Sequence, residues 1–398
     1  MDLKKFIFDM PKTDLHVHLD GSIKLTTLIE LAQQQKIELP SYTVDGLEAL
    51  VFKSTYADLN EYLKGFSYLT AIMQDPESLE RIAYEFAWDN FNENVCYFEV
   101  RFAPFLHVNK TQNFETVINA VNNGLQRAVK EYNNSEVVLI NKKPKANYGI
   151  IVCAMRAFFY GMSKYYDNLL DVHKYNKPRT VFSLASSELI NATIKLRQET
   201  NIPVVAIDLA GTENGYPPID HKEAYAQACS NFINKTVHAG EDYGPESIFQ
   251  AITKLYADRI GHGFYLFDEN KILKPDIIDR TKYVKQLVKY IADHRILIEI
   301  CLTSNLQTSS DLTNIKDHTF SKMLEENIAV SLCTDNRTVS KTTVTNEYLL
   351  AIDHFNLKLH DIQRLCFSGF KHCFFHESYV EKRKYLKSVF DYSYSLIK

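Results

Sequence analysis

Long apolar runs are missing from this sequence of 398 residues. It contains no stretch of about 18 uncharged apolar residues, which is close to the length that a membrane-spanning helix needs. Near the N-terminus, the apolar run that follows Lys4 and Lys5 is only three residues long, which is too short for the core of a signal peptide. We therefore expect a cytoplasmic protein with no membrane partner.

Cysteine pairs, concentrated positive charge and phosphate-binding loops are also missing. The seven cysteines are an odd number, lie far apart and form no C-x-x-C motif, which predicts buried thiols in a reducing compartment. The net charge is −4 and the basic residues are scattered apart from short runs at 142–145 and 382–384, so we expect no nucleic-acid duplex as a partner. Neither a G-x-G-x-x-G motif after the first strand nor a P-loop motif is present.

Short apolar runs rich in β-branched and aromatic residues recur along the chain, with amphipathic segments between them. Runs that are apolar almost throughout, rather than alternating, are typical of parallel strands covered on both faces. Two amphipathic segments, 22–35 and 76–92, predict helices that begin at Ser22 and near Asp75, because both residue types commonly cap helices. The predicted strands are the eight segments 12–18, 95–102, 148–155, 203–209, 235–240, 258–263, 295–301 and 328–334.

Alternating strands and helices without an evident linker predict one domain, residues 1–398. Length alone allows one domain or two, but eight βα units favour a closed (β/α)8 TIM barrel of the α/β class over an open doubly wound sheet. The insert between the first two strands, residues 19–94, predicts extra helices. This insert has apolar residues at helical spacing, namely Leu59, Tyr62, Leu63 and Phe66. They predict either a helix face packed on the barrel or an apolar lid over its mouth.

Candidate metal ligands gather at the ends of the predicted strands. In a barrel, the active site is built at the carboxyl ends of the strands, which is where this sequence has His16, His18, His238, His262 and Asp335. His16 and His18 are two residues apart on one strand and so point to the same side. Three imidazoles and one carboxylate, with no cysteine, are typical of a catalytic zinc site that keeps one position for water.

Two further residues have the chemistry of proton transfer. Glu241 follows His238 by three residues in a tight turn, where burial in an apolar mouth would favour its neutral form and suit a proton donor; the alternative is a solvated turn acid. His262 lies between two glycines and could be a ligand, a base or a packed histidine. Glu99 and Arg101, also two residues apart, are predicted to form a structural ion pair inside the barrel wall.

Six motifs cover the chain nearly from end to end. They are PKTDLHVHLDGSIK (11–24), ERIAYEFAWDNFNENVCYFEVRFAP (80–104), IDLAGTE (207–213), TVHAGE (236–241), DRIGHG (258–263) and SLCTDN (331–336). Together they resemble the motifs of the metal-dependent adenosine/AMP deaminase family. Within that family, only HLDG, HAGE and TDN in this order discriminate well.

The resemblance implies one zinc ion per chain, a small-molecule nucleoside substrate and a defined set of site residues. The implied zinc ligands are His16, His18, His238 and Asp335, with Glu241 as proton donor and His262 as the histidine that positions the attacking water and assists its deprotonation. The implied substrate contacts are made by His18, by Asp20 at the ribose 5′ hydroxyl, by the backbone of Gly211 at the purine ring and by Asn336. The implied reaction is hydrolytic deamination of adenosine, and of 2′-deoxyadenosine, to the inosine product and ammonia in purine salvage.

One position departs from the family pattern. Many relatives have a second aspartate after the metal-binding one, close to purine N7, whereas this chain has Asn336. An amide can donate a hydrogen bond to the N7 lone pair, so the contact can persist with altered strength.

Several alternative functions use the same barrel. Adenine deaminase and N6-methyl-AMP deaminase are the nearest, but Asp20 argues against both, because a bare base needs no ribose partner and a carboxylate repels a 5′ phosphate. Two-metal amidohydrolases need a bridging lysine near the end of the fourth strand, and residues 204–213 contain none. The separate zinc deaminase architecture requires a P-C-x-x-C motif that this chain lacks. A catalytically silent binding barrel predicts loss of ligand residues, and none is lost.

Overall fold

Eight parallel strands pair in sequence order at the centre of a computed structural model, which describes residues 2–397 apart from 54, 57, 58 and 310 and the side chains of 59, 60 and 63. The strands are β1 (Lys12–His18), β2 (Val95–Phe102), β3 (Asn147–Met155), β4 (Val204–Ala210), β5 (Asn234–Ala239), β6 (Arg259–His262), β7 (Leu297–Ile300) and β8 (Val330–Leu332). Each strand lies at a predicted position. Their residues are buried almost throughout, as expected for strands covered on both faces.

The barrel closes between β1 and the residue segment that follows β8. The backbone N–H of His18 donates to the carbonyl oxygen of Asp335 at 2.7 Å, and the N–H of Asp335 donates to the carbonyl oxygen of His16 at 2.8 Å. Val17 forms a parallel bridge with Asp335 at the same place. The predicted (β/α)8 TIM barrel is therefore confirmed, and its closure brings Asp335 next to the two histidines of β1.

Helices surround the barrel and connect its strands. They are α1 (Leu3–Asp9), α2 (Leu25–Gln35), α3 (Val44–Leu50), α4 (Leu59–Ala71), α5 (Pro76–Asn92), α6 (Phe114–Asn133), α7 (Glu136–Leu139), α8 (Lys164–Val172), α9 (Pro178–Glu199), α10 (Lys222–Ser230), α11 (Pro245–Lys254), α12 (Arg280–Asp293), α13 (Leu302–Thr308), α14 (Phe320–Glu325), α15 (Val344–Phe355), α16 (Leu359–His372) and α17 (Tyr379–Ser395). Within the part of the chain that the structure describes, none of them combines the length and the apolar character that a membrane crossing requires.

One of the two predicted helix starts is confirmed. The side chain of Asp75 accepts a hydrogen bond from the N–H of Ser78 at 2.8 Å and so caps α5. The start predicted at Ser22 is wrong, because Ser22 ends a short 3-10 helix and α2 begins only at Leu25. The Ser22 hydroxyl accepts a hydrogen bond from the N–H of Arg337 instead of capping the helix.

The insert between β1 and β2 contains the extra helices that the sequence predicts, α2 to α5. Helix α4 lies at the mouth of the barrel, where Phe66 borders a cavity and Tyr62 is buried. The predicted apolar face also includes Leu59 and Leu63, whose side chains lie outside the described residues. Tyr62 and Phe66 both border the cavity, so this face of α4 packs against the mouth of the barrel.

The predicted ion pair between Glu99 and Arg101 is wrong. Arg101 donates to Asp208 and to Glu299, at 2.9 Å in each case, while Glu99 pairs with Arg259. Side chains that point to the axis of a barrel meet those of other strands, so two residues of one strand find separate partners. All five side chains are buried, and their pairing offsets the cost of removing the charges from water.

Candidate active site

The carboxyl ends of the strands surround a cavity of about 670 Å³. Eight of the nine predicted site residues border this cavity. The ninth, His16, is fully buried, with its ring centre 4.5 Å from that of His238. A largely apolar cavity with a few convergent polar groups at the strand ends is typical of the active site of a barrel enzyme.

Two buried carboxylates orient the rings of His16 and His238. The Nδ1 atom of His16 lies 2.8 Å from Glu299, and that of His238 lies 2.9 Å from Asp208. Burial alone would raise the pKa of both carboxyls, but neighbouring positive charge, including Arg101 in both cases, outweighs it and holds each pKa well below its usual range. Because ionised carboxylates only accept hydrogen bonds, each Nδ1 carries a hydrogen, which leaves Nε2 of each ring as the atom that could bind a metal.

Four candidate ligand side chains converge beside the cavity. The Nε2 atom of His18 lies 3.2 Å from Nε2 of His238, and Oδ1 of Asp335 lies 3.5 Å from Nε2 of both His16 and His18. The Nε2 atom of His16 is buried without a hydrogen-bond partner. A buried polar nitrogen without a partner is costly alone, and its position among the other possible ligands fits a cation at the centre of the group. These four side chains could therefore hold a metal ion, and carboxylates that orient the imidazoles are typical of metal sites.

His262 belongs to this cluster by distance, and its hydrogen bonds show how it differs. Its ring lies so close that the ligand atoms of His16, His238, His262 and Asp335 are all within 4.8 Å of one another. The N–H of Phe320 donates to Nδ1 of His318 at 3.0 Å, so the neutral His318 ring carries its hydrogen on Nε2. The Nε2–H of His318 donates to Oδ1 of Asn305 at 3.1 Å. Nδ2 of Asn305 in turn donates to Nδ1 of His262 at 3.2 Å.

The His262 ring consequently carries its hydrogen on Nε2. Burial lowers the pKa of His318 to about 3 and that of His262 well below its usual value, so both rings are neutral. The Nε2 atom of His262 is buried without a hydrogen-bond partner and lies 3.8 Å from Oε2 of Glu241. This arrangement gives His262 a free donor beside the cavity, which favours the role of positioning an oxygen atom over the roles of ligand or base.

Two of these side chains, those of His262 and Asp335, are oriented by unusual backbone dihedral angles. His262 has a φ of 64° and Asp335 a φ of 61°, a left-handed conformation that residues other than glycine seldom adopt. Such angles persist where the surrounding structure enforces them, often at functional sites. Gly261 is also required, because a Cβ atom there would lie 2.9 Å from the ring of His16. The absence of a side chain at Gly261 thus permits this backbone to pack closely against His16.

The turn after β5 holds Glu241 at the cavity. The carboxylate of Glu213 accepts hydrogen bonds from the backbone N–H groups of residues 240–243, at distances of 2.9 to 3.1 Å. Burial raises the pKa of Glu241 to about 8, and the charges of Asp335 and Glu213 act in the same direction. Burial therefore favours the neutral form of the Glu241 carboxyl near neutral pH, as a proton donor would require.

The predicted substrate contacts lie on the same cavity. Asp20 is buried with its Oδ1 atom unpartnered, and burial raises its pKa to about 7. Gly211 adopts a φ of 97° directly after β4, where the chain turns along the cavity wall. Asn336 follows Asp335 and is almost fully buried. The structure thus brings all nine predicted site residues together.

Sequence reasoning missed the residues that orient the site: Asp208, Glu213, Glu299, Asn305 and His318. Glu299 was detectable as a lone charge within an apolar strand. Asp208 and Glu213 lie in the motif IDLAGTE, although the motif alone did not indicate which atoms they contact. No local pattern marks Asn305 or His318, since their contacts with each other and with His262 exist only in the folded chain.

Fold and site together define a class, the barrel enzymes with a buried histidine and carboxylate centre. Comparison with known proteins narrows this class. The adenosine deaminase family profile matches residues 11–392. The adenosine deaminase of Clostridium kluyveri is 30% identical over 392 residues, which cover 98% of this chain and 97% of that protein.

Two further proteins are similar over most of this chain. A probable adenosine deaminase of Dictyostelium discoideum is 33% identical over 357 residues, which are 89% of this chain but only 39% of that longer protein. The solved N6-methyl-AMP deaminase of Arabidopsis thaliana is 25% identical, with a TM-score of 0.73 and coverage of 98% of both chains. This chain therefore belongs to the adenosine deaminase family and is a hydrolytic deaminase.

Proposed function

We propose that this chain catalyses the zinc-dependent deamination of adenosine and 2′-deoxyadenosine to inosine and 2′-deoxyinosine, with release of ammonia, in cytoplasmic purine salvage. The observation that carries the proposal is the placement of Glu241, whose backbone N–H is held by Glu213 and whose side chain borders the same cavity as the cluster around Asp335. Burial there raises the pKa of Glu241 to about 8. Deamination at purine C6 needs an oxygen nucleophile at the carbon and a proton for the adjacent ring nitrogen. The relatives named adenosine deaminase support a purine nucleoside as the substrate.

The proposed cofactor is one zinc ion per chain, bound by His16, His18, His238 and Asp335. Imidazoles and one carboxylate, without cysteine, are the donors typical of catalytic zinc. Bound there, zinc would supply hydroxide at neutral pH by lowering the pKa of water to about 7. The Nε2 atom of His16 supports this assignment, because it is buried without a hydrogen-bond partner and lies 3.5 Å from Oδ1 of Asp335, another proposed ligand.

Glu241 is the proposed proton donor to purine N1. Its neutral carboxyl gives up a proton as oxygen adds to C6, so negative charge does not accumulate on the ring. The carboxylate that remains then accepts the hydrogen of the new C6 hydroxyl group. It returns this hydrogen to the amino nitrogen, which leaves as ammonia. The carboxylate regains its proton from the water that supplies the next hydroxide, so the neutral donor is restored.

His262 is proposed to hold the attacking oxygen. Its Nε2–H donates a hydrogen bond, and the relay from His318 through Asn305 keeps that hydrogen in place. Asp335 is ionised, because contacts with the nearby histidines outweigh burial and hold its pKa well below its usual range. A donor and an acceptor on either side of one oxygen orient it towards C6.

The cavity favours a nucleoside over a nucleotide. Asp20, with its unpartnered Oδ1, is proposed to meet the ribose 5′ hydroxyl, whereas a 5′ phosphate would lie against this acid. Among the described lining residues, Lys164 is the only lysine or arginine, and it lies 3.9 Å from Asp167. Phosphate sites usually contain arginine or several donors. The backbone of Gly211 and the amide of Asn336 complete the proposed contacts, at the purine ring.

Deamination of N6-methyl-AMP is the second candidate. It is favoured by the similarity to the solved Arabidopsis thaliana enzyme of that name, which extends over 98% of both chains. The acidic environment at Asp20 is the feature that separates the two candidates, because a nucleotide requires a cationic partner there.

The test is a parallel assay of the zinc-loaded protein by ultraviolet absorbance with adenosine, 2′-deoxyadenosine, adenine, AMP and N6-methyl-AMP. We expect conversion of the two nucleosides, with much lower kcat/KM for the others. Preferred conversion of a nucleotide or of adenine would refute the nucleoside assignment.

A further inference from the structure

We propose that Tyr62, on helix α4, is a positioning residue that presents the amide of Asn336 to the substrate and thereby selects purine rings with a lone pair at N7. The inference rests on the proposed function and deepens it, because it assigns the origin of ring recognition. It also links the insert between β1 and β2 to the chemistry at the strand ends.

A line of hydrogen bonds connects α4 to Asn336. The Nδ2 atom of Asn336 donates to the hydroxyl of Tyr62 at 2.8 Å, and the same hydroxyl lies 2.9 Å from Oγ of Ser340. A hydroxyl that accepts from an amide keeps its own hydrogen for a second partner, here Ser340. Burial raises the pKa of Tyr62 well above 10, so this hydroxyl stays neutral.

The opposite side of the amide is fixed by packing against Gly21. A Cβ atom at Gly21 would lie 1.8 Å from Oδ1 of Asn336, so a hydrogen on the Gly21 Cα points at that oxygen. An amide oxygen can lie against a Cα hydrogen, whereas an NH2 group would bring its own hydrogens into the same space. The position of Gly21 therefore selects the orientation in which Asn336 turns its nitrogen to Tyr62.

This orientation determines what Asn336 can offer a substrate. The amide nitrogen has two hydrogens, of which Tyr62 uses one, so the second remains for a ligand in the cavity that Asn336 borders. In a purine nucleoside, N7 has a lone pair and no hydrogen, and it needs a donor. Without the Tyr62 hydroxyl the amide loses the partner that holds its nitrogen in place. A purine analogue with C–H in place of N7 has no lone pair there, so the amide of Asn336 forms no hydrogen bond with it.

The test compares adenosine, as substrate, with 7-deazaadenosine, as competitive inhibitor, on the zinc-loaded protein and its variants. For Tyr62→Phe we expect the KM for adenosine to rise about 3- to 10-fold, the equivalent of one net hydrogen bond, with the Ki of 7-deazaadenosine unchanged. Ser340→Ala should act in the same direction, and it tests the same line of bonds if Tyr62→Phe folds poorly. In an Asn336→Ala background, Tyr62→Phe should have no further effect.

Tyr56→Phe is the matched control. Tyr56 lies in the same insert, its ring centre is 5.0 Å from that of Tyr62, and its hydroxyl donates to the carbonyl of Val339 rather than to Asn336. Its variant should leave both constants unchanged. Equal weakening of both ligands by Tyr62→Phe, or an unchanged KM for adenosine, would overturn the inference while the proposed function stands. Failure of the unaltered chain to deaminate adenosine would instead refute the proposed function, and this inference with it.

Discussion

Two acidic residues of this site are held in opposite protonation states although both are buried. Burial raises the pKa of Glu241 to about 8, and the charges of Asp335 and Glu213 act in the same direction. Burial acts on Asp335 in the same way, but contacts with His16, His18 and His262 reverse the effect and keep its pKa well below its usual range. Pairs of carboxyl groups separated in this way are typical of catalytic sites in which one acid donates a proton and the other stays ionised.

Glu241→Gln tests the proton donor. The amide has nearly the same shape but no acidic proton, so we expect kcat for adenosine to fall by about 10²- to 10⁴-fold. Bound zinc, measured by metal analysis, should be unchanged, because Glu241 is not a proposed ligand. Near-normal turnover in this variant would show that Glu241 is not the proton donor. Loss of the metal would instead show that Glu241 contributes to zinc binding.

The raised pKa of Glu241 also predicts a pH dependence. A donor must be protonated, and a carboxyl with a pKa of about 8 stays protonated through neutral pH and loses its proton above that value. We therefore expect kcat/KM to decline as the pH rises through about 8. The residual activity of Glu241→Gln should lack this alkaline decline, and an identical decline in both proteins would assign it to another group.

Asn305→Asp tests the relay that sets the His262 tautomer. A carboxylate cannot donate to Nδ1 of His262, so the ring should move its hydrogen to Nδ1 and lose the donor at Nε2. We expect kcat to fall on the order of 10²-fold, as for the loss of one preorganised donor, with zinc content unchanged. Asn305→Ala, which leaves the tautomer free, should lose less activity than Asn305→Asp. The reverse order would contradict the relay.

At the scale of the elements, strand β2 supports two opposite sides of the site through one side chain. Arg101 contacts both Asp208 on β4 and Glu299 on β7, which in turn orient His238 and His16. One guanidinium with five donors in a fixed fork can serve both carboxylates at once. The two histidines are therefore aligned by a common group inside the barrel.

Arg101→Met is expected to destabilise the fold. Removing the cation leaves two buried carboxylates with less compensation, at a cost of about 3–5 kcal/mol in the free energy of unfolding measured with urea. Arg127→Met is the matched control, since Arg127 is half exposed and pairs with Glu80 on the surface, which predicts a loss of less than about 1 kcal/mol. Equal effects of the two substitutions would show that the buried network contributes nothing specific.

The strands and most of the site could be predicted from sequence because they leave local patterns. Apolar runs indicated each strand, and the rule that barrel sites lie at strand ends selected His238 and Asp335. The partners of Glu99 and Arg101 could not be predicted, since spacing along one strand does not reveal which side chains meet across the barrel axis. The helix start predicted at Ser22 is wrong for a related reason, because the Ser22 hydroxyl accepts a hydrogen bond from the backbone N–H of Arg337, far along the chain.

At the scale of the whole molecule, the proposed zinc ion would connect strand ends that are distant in sequence. His16 and His18 come from β1, His238 from β5, and Asp335 follows β8 at the closure of the barrel. A ligand that binds only the folded chain stabilises it, by about 4 kcal/mol at a concentration 1,000 times its Kd. The large buried core of the barrel does not depend on this site, so the chain should remain folded without the metal.

We therefore expect a chelator to lower the Tm by several degrees without unfolding the protein at room temperature, and added zinc to restore it. His238→Ala should show no such shift, because it lacks one of the four proposed ligands. Glu241→Gln should retain the full shift, because its side chain acts on the substrate and not on the ion. Calorimetry of the three proteins with and without chelator distinguishes these outcomes. A shift that persists in His238→Ala would mean that the ion binds elsewhere, whereas unfolding on chelation would mean that the barrel closes only around its metal.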